Sequence, residues 1–274
     1  MLIITNRGKM IALLYFFIAL ICTFAGAITG MGGGVVIKPV LDLMGDFDSA
    51  SIGALSSITV LAMSLTTFIR QVGKKRSTSI LKLLILGISS AGGGVLGQYI
   101  FDMMTKGALN AHVIKIIQNS ILLFLIVCIF FYMLFREKIK PLHLKNTVFY
   151  ILTGLLLGVL SSFLGIGGGP LNVAILMLLF GMEIKEATFA SIVTIMFAQV
   201  AKIATILIGG GFGGYDLSML PYMVIAGVFG GLIGSIVGKK ISGKITAVAF
   251  NIMQLAVMVI CVVNIITNSV ALNA

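Results

Sequence analysis

Two lysines stand inside apolar stretches where a charge is expensive. Lys38 lies four residues past a run of glycines, and Lys202 sits deep in a later apolar segment. An ionisable side chain within a membrane span marks a functional site by default, and a cation facing a polar cavity there attracts an anion. Groups that suit an oxyanion accompany them: Asn172, three residues beyond a second glycine run, the hydroxyls of Ser56, Ser57, Thr59, Ser191 and Thr194, and the Gln199 amide. Ser57 and Thr194 form a matched pair 137 residues apart. Each has a plainer reading. The lysines could snorkel to an interface, the hydroxyls could bond back to their own helix carbonyls, and Asn172 could partner reopened backbone.

The glycine runs supply a second kind of anion-binding group. Gly30-Met-Gly-Gly-Gly34 interrupts the first apolar segment, and Gly165-Ile-Gly-Gly-Gly-Pro170 repeats the spacing 135 residues later. Each glycine weakens a helix by about 1 kcal/mol relative to Ala. Backbone released in lipid must be buried in protein or line a watery cavity. Exposed N–H groups, followed by a helix N-terminus worth about half a positive charge, bind anions without a cationic side chain. Pro170 suits a first helical turn. The expectation is that Gly32, Gly33 and Gly34, with Gly167, Gly168 and Gly169, are non-helical, face one central cavity and aim N–H groups into it. The alternative is close helix contact through small residues. That alternative is the better reading of the stripes Gly230, Gly234 and Gly238, and Gly93 and Gly97.

Catalysis finds little support. The eight acids fall at or near segment ends, as do His112 and His143, and Cys22, Cys128 and Cys261 are isolated. There is no nucleophile–base constellation and no metal-ligand cluster, so neither enzyme activity, metal nor cofactor is expected. A proton relay would need a carboxylate deep in the membrane, and the sequence places none there.

The elements that must hold these groups are membrane spans. Hydrophobic residues make up 59% of the 274 and charged residues only 10%, against about 25% charged in soluble domains. Apolar segments at 10–41, 50–69, 80–101, 113–135, 147–180, 187–208, 217–238 and 246–267 each suffice for a span. The first and fifth are too long for one straight helix and carry the glycine runs. Ala50-Ser51 matches Ala187-Thr188, and Gly94-Val-Leu-Gly97 matches Gly231-Leu-Ile-Gly234, both at the offset of the Ser57–Thr194 pair. The expected fold is therefore an all-α membrane protein. It has about eight transmembrane segments in two homologous four-segment repeats, 1–140 and 141–274, with segments one and five broken at the Gly clusters. The net charge of +11 sits mostly in short connections, where it orients the chain rather than binding nucleic acid. The basic N-terminus and Ala25-Gly26-Ala27 resemble a signal peptide, but cleavage would separate the first glycine run from its half-helix. A retained span is expected.

Two topologies stay open. Eight full crossings make the repeats parallel and, with the N-terminus inside, divide Lys and Arg eleven inside to six outside. If each glycine break turns the chain back, the repeats are inverted. With the N-terminus outside, the division becomes thirteen to four, but Arg7 and Lys9 are misplaced.

At the paired glycine runs, and again at Ala91-Gly-Gly-Gly-Val-Leu-Gly97 and Gly230-Gly-Leu-Ile-Gly234, the chain resembles the TauE/SafE family of sulfite and sulfonate exporter-like permeases. The first run departs from the second in having Val35 where Pro170 stands. The resemblance implies a multi-pass permease of the bacterial inner membrane for small sulfur-containing or organic anions, often exported. Its partners would be that anion and the lipid bilayer, with a homo-oligomer left open. Outside this class, a non-transporting scaffold or assembly subunit, or an anion channel, would also use such spans.

Overall fold

The computed structural model describes residues 6–73, 78–106, 110–166 and 168–273, which form ten helices and no strand. They are α1 (Asn6–Thr29), α2 (Gly34–Met44), α3 (Ser49–Gln71), α4 (Ile80–Lys106), α5 (Ala111–Phe135), α6 (Thr147–Leu164), α7 (Gly169–Phe180), α8 (Ile184–Ile208), α9 (Leu220–Lys240) and α10 (Gly243–Asn273). Eight are long and apolar enough to cross a membrane; α2 and α7 are the short pair. The protein is an all-α, multi-pass membrane protein. Its outward residues, Ile88, Leu96, Phe124 and Val259 among them, are those that lipid solvates.

Local chemistry sets the helix boundaries. Asp48 caps α3 by accepting from the Ala50 and Ser51 N–H groups, and Asn110 and Asn146 cap α5 and α6 in the same way. Left-handed Gly45, Gly165 and Gly181 end α2, α6 and α7. The two longest apolar segments are each two helices, parted at Gly30–Gly33 and after Leu164. At Gly30 (φ +76°) no other residue fits, since a methyl there would stand 2.6 Å from the Thr188 backbone.

Helix directions follow from which residues meet. α1 and α9 run parallel: Thr23 donates to the Ala226 carbonyl, and Gly234 and Gly238 lie against Phe24 and Ile28. α4 and α6 pack in the same sense through Gly93, Gly97, Gly154 and Gly158, each pressed on the partner's backbone. α3 joins α1 and α9, with Gly227 on Thr59 and Gly231 on Met63, while α8 joins α4 and α6 through Ser90–Thr194 and Gly94–Ala198. The two groups oppose each other. Phe68 stacks on Phe189, whereas Gly53 lies beside Lys202 at the other ends of the same two helices. α5 and α10 are likewise antiparallel, joined at His112–Asn268 and Asn119–Asn264.

Every long helix of the first half thus points opposite to the helix at the same place in the order of the second half. α2 turns back along α1, since Tyr15 donates to Asp46 at 2.7 Å just past the end of α2. In the other half Tyr150, near the start of α6, stacks on Phe180, the last residue of α7. Both breaks are tips of helical hairpins. The most extensive helix contacts join one half to the other: α4 with α6 and α8, and α9 with α1 and α3. The glycine stripes serve close packing there, as expected of them.

Candidate anion site at the crossed hairpin tips

The tips come from opposite ends of the bundle and touch. A methyl on Gly34 would stand 2.5 Å from the Ile166 carbonyl oxygen, and one on Gly169 would meet the Val35 side chain at 3.2 Å. Between Gly34 and Ile166 there is packing contact rather than the shared open cavity expected from sequence. A second correction concerns the backbone. Gly34 is the first residue of α2, with Gly33 as its N-cap, so the non-helical stretch of the first run stops before it, whereas Gly168 (φ +98°) and Gly169 (φ +57°) at the start of α7 both keep non-helical backbone. The N-terminal turn of α2 tolerates Gly34 without needing its N–H paired. Gly32 is left-handed (φ +66°), and Gly167 lies outside the described residues.

α8 holds the first tip from the side. Ser191 Oγ donates to the Gly30 carbonyl at 2.6 Å and Thr188 Oγ1 to the Thr29 carbonyl at 3.3 Å. These hydroxyls satisfy carbonyls that the broken helix leaves open. Ser57 and Thr194, the pair singled out by symmetry, instead donate to carbonyls of their own helices, Gly53 at 2.6 Å and Ala190 at 2.9 Å.

The second tip is where the cations converge. Lys38 and Lys202 are only 2% and 3% exposed, which rules out snorkelling for both. The Lys38 stem packs on Gly165, where a methyl would lie 2.9 Å from its Cε. The Lys202 ammonium would be 3.7 Å from that same methyl and 3.6 Å from one on Gly53. Lys38 Nζ donates to Asp42 Oδ2 at 3.0 Å and to Gln118 Oε1 at 2.9 Å, and Gln118 Nε2 donates to the Phe163 carbonyl at 2.6 Å. Lys202 makes no hydrogen bond or ion pair with any described residue, so its amine is buried without a direct partner beside a second cation. A charge there is strongly unfavourable until an anion joins it.

Polar groups without partners surround the same tip. Both amide atoms of Asn172 are unbonded in a residue 1% exposed, and its Nδ2 lies against Gly168. Ser162 Oγ and Gln199 Oε1 are also buried without partners, while Gln199 Nε2 reaches Ser161 Oγ at 3.4 Å. Ile195, Gln199 and Lys202 share one face of α8 by their spacing, and Ile195 too faces Gly168. Neutral donors and a bare ammonium around a helix start form a site suited to an oxyanion.

The sequence reading missed Asp42. Taken for a segment-end acid, it is a buried carboxylate 5% exposed, because α2 turns inward behind the break and carries it there. The Lys38–Asp42 spacing of four residues was the available signal. Gln118 belongs to the same network, whereas its neighbour Asn119 bonds across to Asn264.

The profile described as sulfite exporter TauE/SafE matches residues 15–261, nearly the whole chain. The protein belongs to the TauE/SafE family. No curated protein and no solved structure matches it significantly. The TauE/SafE match makes this chain an exporter-type membrane permease, for which a small anion and the lipid bilayer are fitting partners. In this TauE/SafE chain the matched span contains both hairpin tips and both lysines.

Proposed function

We propose that the protein exports a small sulfur-containing or organic anion, such as sulfite, a sulfonate or sulfoacetate, across the bacterial inner membrane. The anion binds at the second hairpin tip between Lys202 and Lys38. Asn172 and the start of α7 at Gly168 and Gly169 donate to its oxygens, while Gly32, Gly33 and Gly34 supply the facing wall. Ser57 and Thr194 line the helices beside it. The observation that carries this reading is the unpaired, buried Lys202 ammonium next to Lys38. The halves 1–140 and 141–274 act as inverted repeats that rock about the crossed tips and open the site to each side in turn. The thirteen-to-four division of basic residues puts the linker between the halves in the cytoplasm and both termini outside.

The membrane potential favours this direction. An inside-negative potential is worth about 2.3 kcal/mol per charge per 100 mV, so a dianion leaving gains about 4.6 kcal/mol. That supports a gradient of more than about a thousandfold without a coupling ion. Purified protein in proteoliposomes should release sulfite or sulfoacetate faster than empty vesicles when a potassium diffusion potential is imposed. Equal rates for every anion offered would refute the reading.

A further inference from the structure

Asp42 is the one buried acid at the site, and the transport scheme above leaves it idle. Its two oxygens address two different cations. Oδ2 accepts from Lys38 at 3.0 Å, whereas Oδ1 accepts no hydrogen bond and lies 3.8 Å from the Lys115 ammonium at the start of α5. Lys115 is partly open, with its side chain 12% exposed, while the Asp42 side chain is 1% exposed. A water-sized cavity adjoins the pair, lined on its polar side by Lys38, Asp42, Gln118 and Asn119 and on its apolar side by Pro39, Leu122, Leu164 and Ile166, so the carboxylate has space beside it and polar groups within that space.

We infer that Asp42 is a resident stand-in for the transported anion: it occupies Lys38 while the site is empty and moves towards Lys115 when an anion takes Lys38. This rests on the permease reading and adds how the empty carrier resets. Two buried lysines without counter-charge would hold a carrier to its bound anion, because the unloaded site would leave both ammonium groups unpaired. With Asp42 on Lys38, one of the two is neutralised from within, and the protein returns unloaded. Lys115 is what makes release feasible. Without it, displacing Asp42 would strand a buried carboxylate.

The test compares two modes in proteoliposomes at a clamped potential: net sulfite efflux, which requires an empty return, and sulfite–sulfite exchange, which does not. For Asp42→Asn the ratio of net efflux to exchange should fall about a hundredfold, the scale expected when a buried pair loses one partner. Asp42→Glu should restore most of the ratio. Lys115→Gln should raise half-saturation about threefold in both modes, in line with a partly exposed pair, and Lys115→Arg should restore it. A ratio in Asp42→Asn within about twofold of wild type, or unchanged half-saturation in Lys115→Gln, overturns the inference. Lys115 is peripheral enough for its variants to decide the matter if Asp42→Asn does not accumulate. A wild-type protein that moves sulfite in neither mode fails at the level of the permease reading, and the inference falls with it.

Discussion

Lys38, in the short helix of the first hairpin, lays its stem against Gly165, the left-handed residue that ends α6 in the second. One contact therefore couples the two halves at the point where the cations gather. Gly165→Ala introduces a methyl into that contact and forces a non-glycine residue to φ +67°. The left-handed conformation alone costs about 1–2 kcal/mol. The variant should melt earlier in detergent and lose most anion flux, and a wild-type melting profile with full flux would separate Gly165 from the site.

Lys202→Met should divide stability from function. Removing an unpaired buried charge leaves stability equal or higher, while loss of the ammonium should weaken anion binding at least about tenfold. Thermal unfolding and the concentration dependence of efflux measure the two effects. A variant that melts much earlier but binds normally would make Lys202 a structural residue.

Hydroxyls of similar appearance should behave differently. Ser191→Ala removes the bond to the Gly30 carbonyl in the first tip, worth about 1 kcal/mol, and should slow flux. Ser57→Ala removes a bond within one helix, a change of about 0.5 kcal/mol or less. If Ser57→Ala abolishes flux at normal stability, its hydroxyl contacts the anion directly.

Packing glycines make a further contrast. A methyl on Gly158 runs into the Ser90 carbonyl, which is backbone and has no rotamer to yield. Gly158→Ala should destabilise by about 1–3 kcal/mol, whereas Gly213→Ala, with open space around it, should stay within about 0.5 kcal/mol of wild type. Melting temperatures in one detergent decide the comparison.

Orientation is open to direct labelling. In a cysteine-free background, Lys140→Cys should be protected from a membrane-impermeant thiol reagent in intact cells, and Gly213→Cys should react. The opposite pattern would reverse the membrane orientation inferred from the basic residues.

The amino-acid sequence by itself determined the solvent, the breaks and the family. Apolar runs of span length and scarce charge leave only a membrane protein, and helix-breaking power is local to glycine, so Gly30–Gly34 and Gly165–Gly169 were legible as interruptions. The matched motifs at 30–34, 165–170, 91–97 and 230–234 carried the TauE/SafE resemblance. What only the tertiary structure decided is convergence. Whether Lys38 meets Asp42 and Gln118, whether Lys202 is left bare, and whether Thr194 turns to its own helix depend on helix directions and on contacts between residues far apart in the chain. Apolar periodicity is the same for a helix running up or down, so it holds no information on direction. Close approach at Gly93, Gly158 and Gly234 settled it, by fixing which backbones lie side by side.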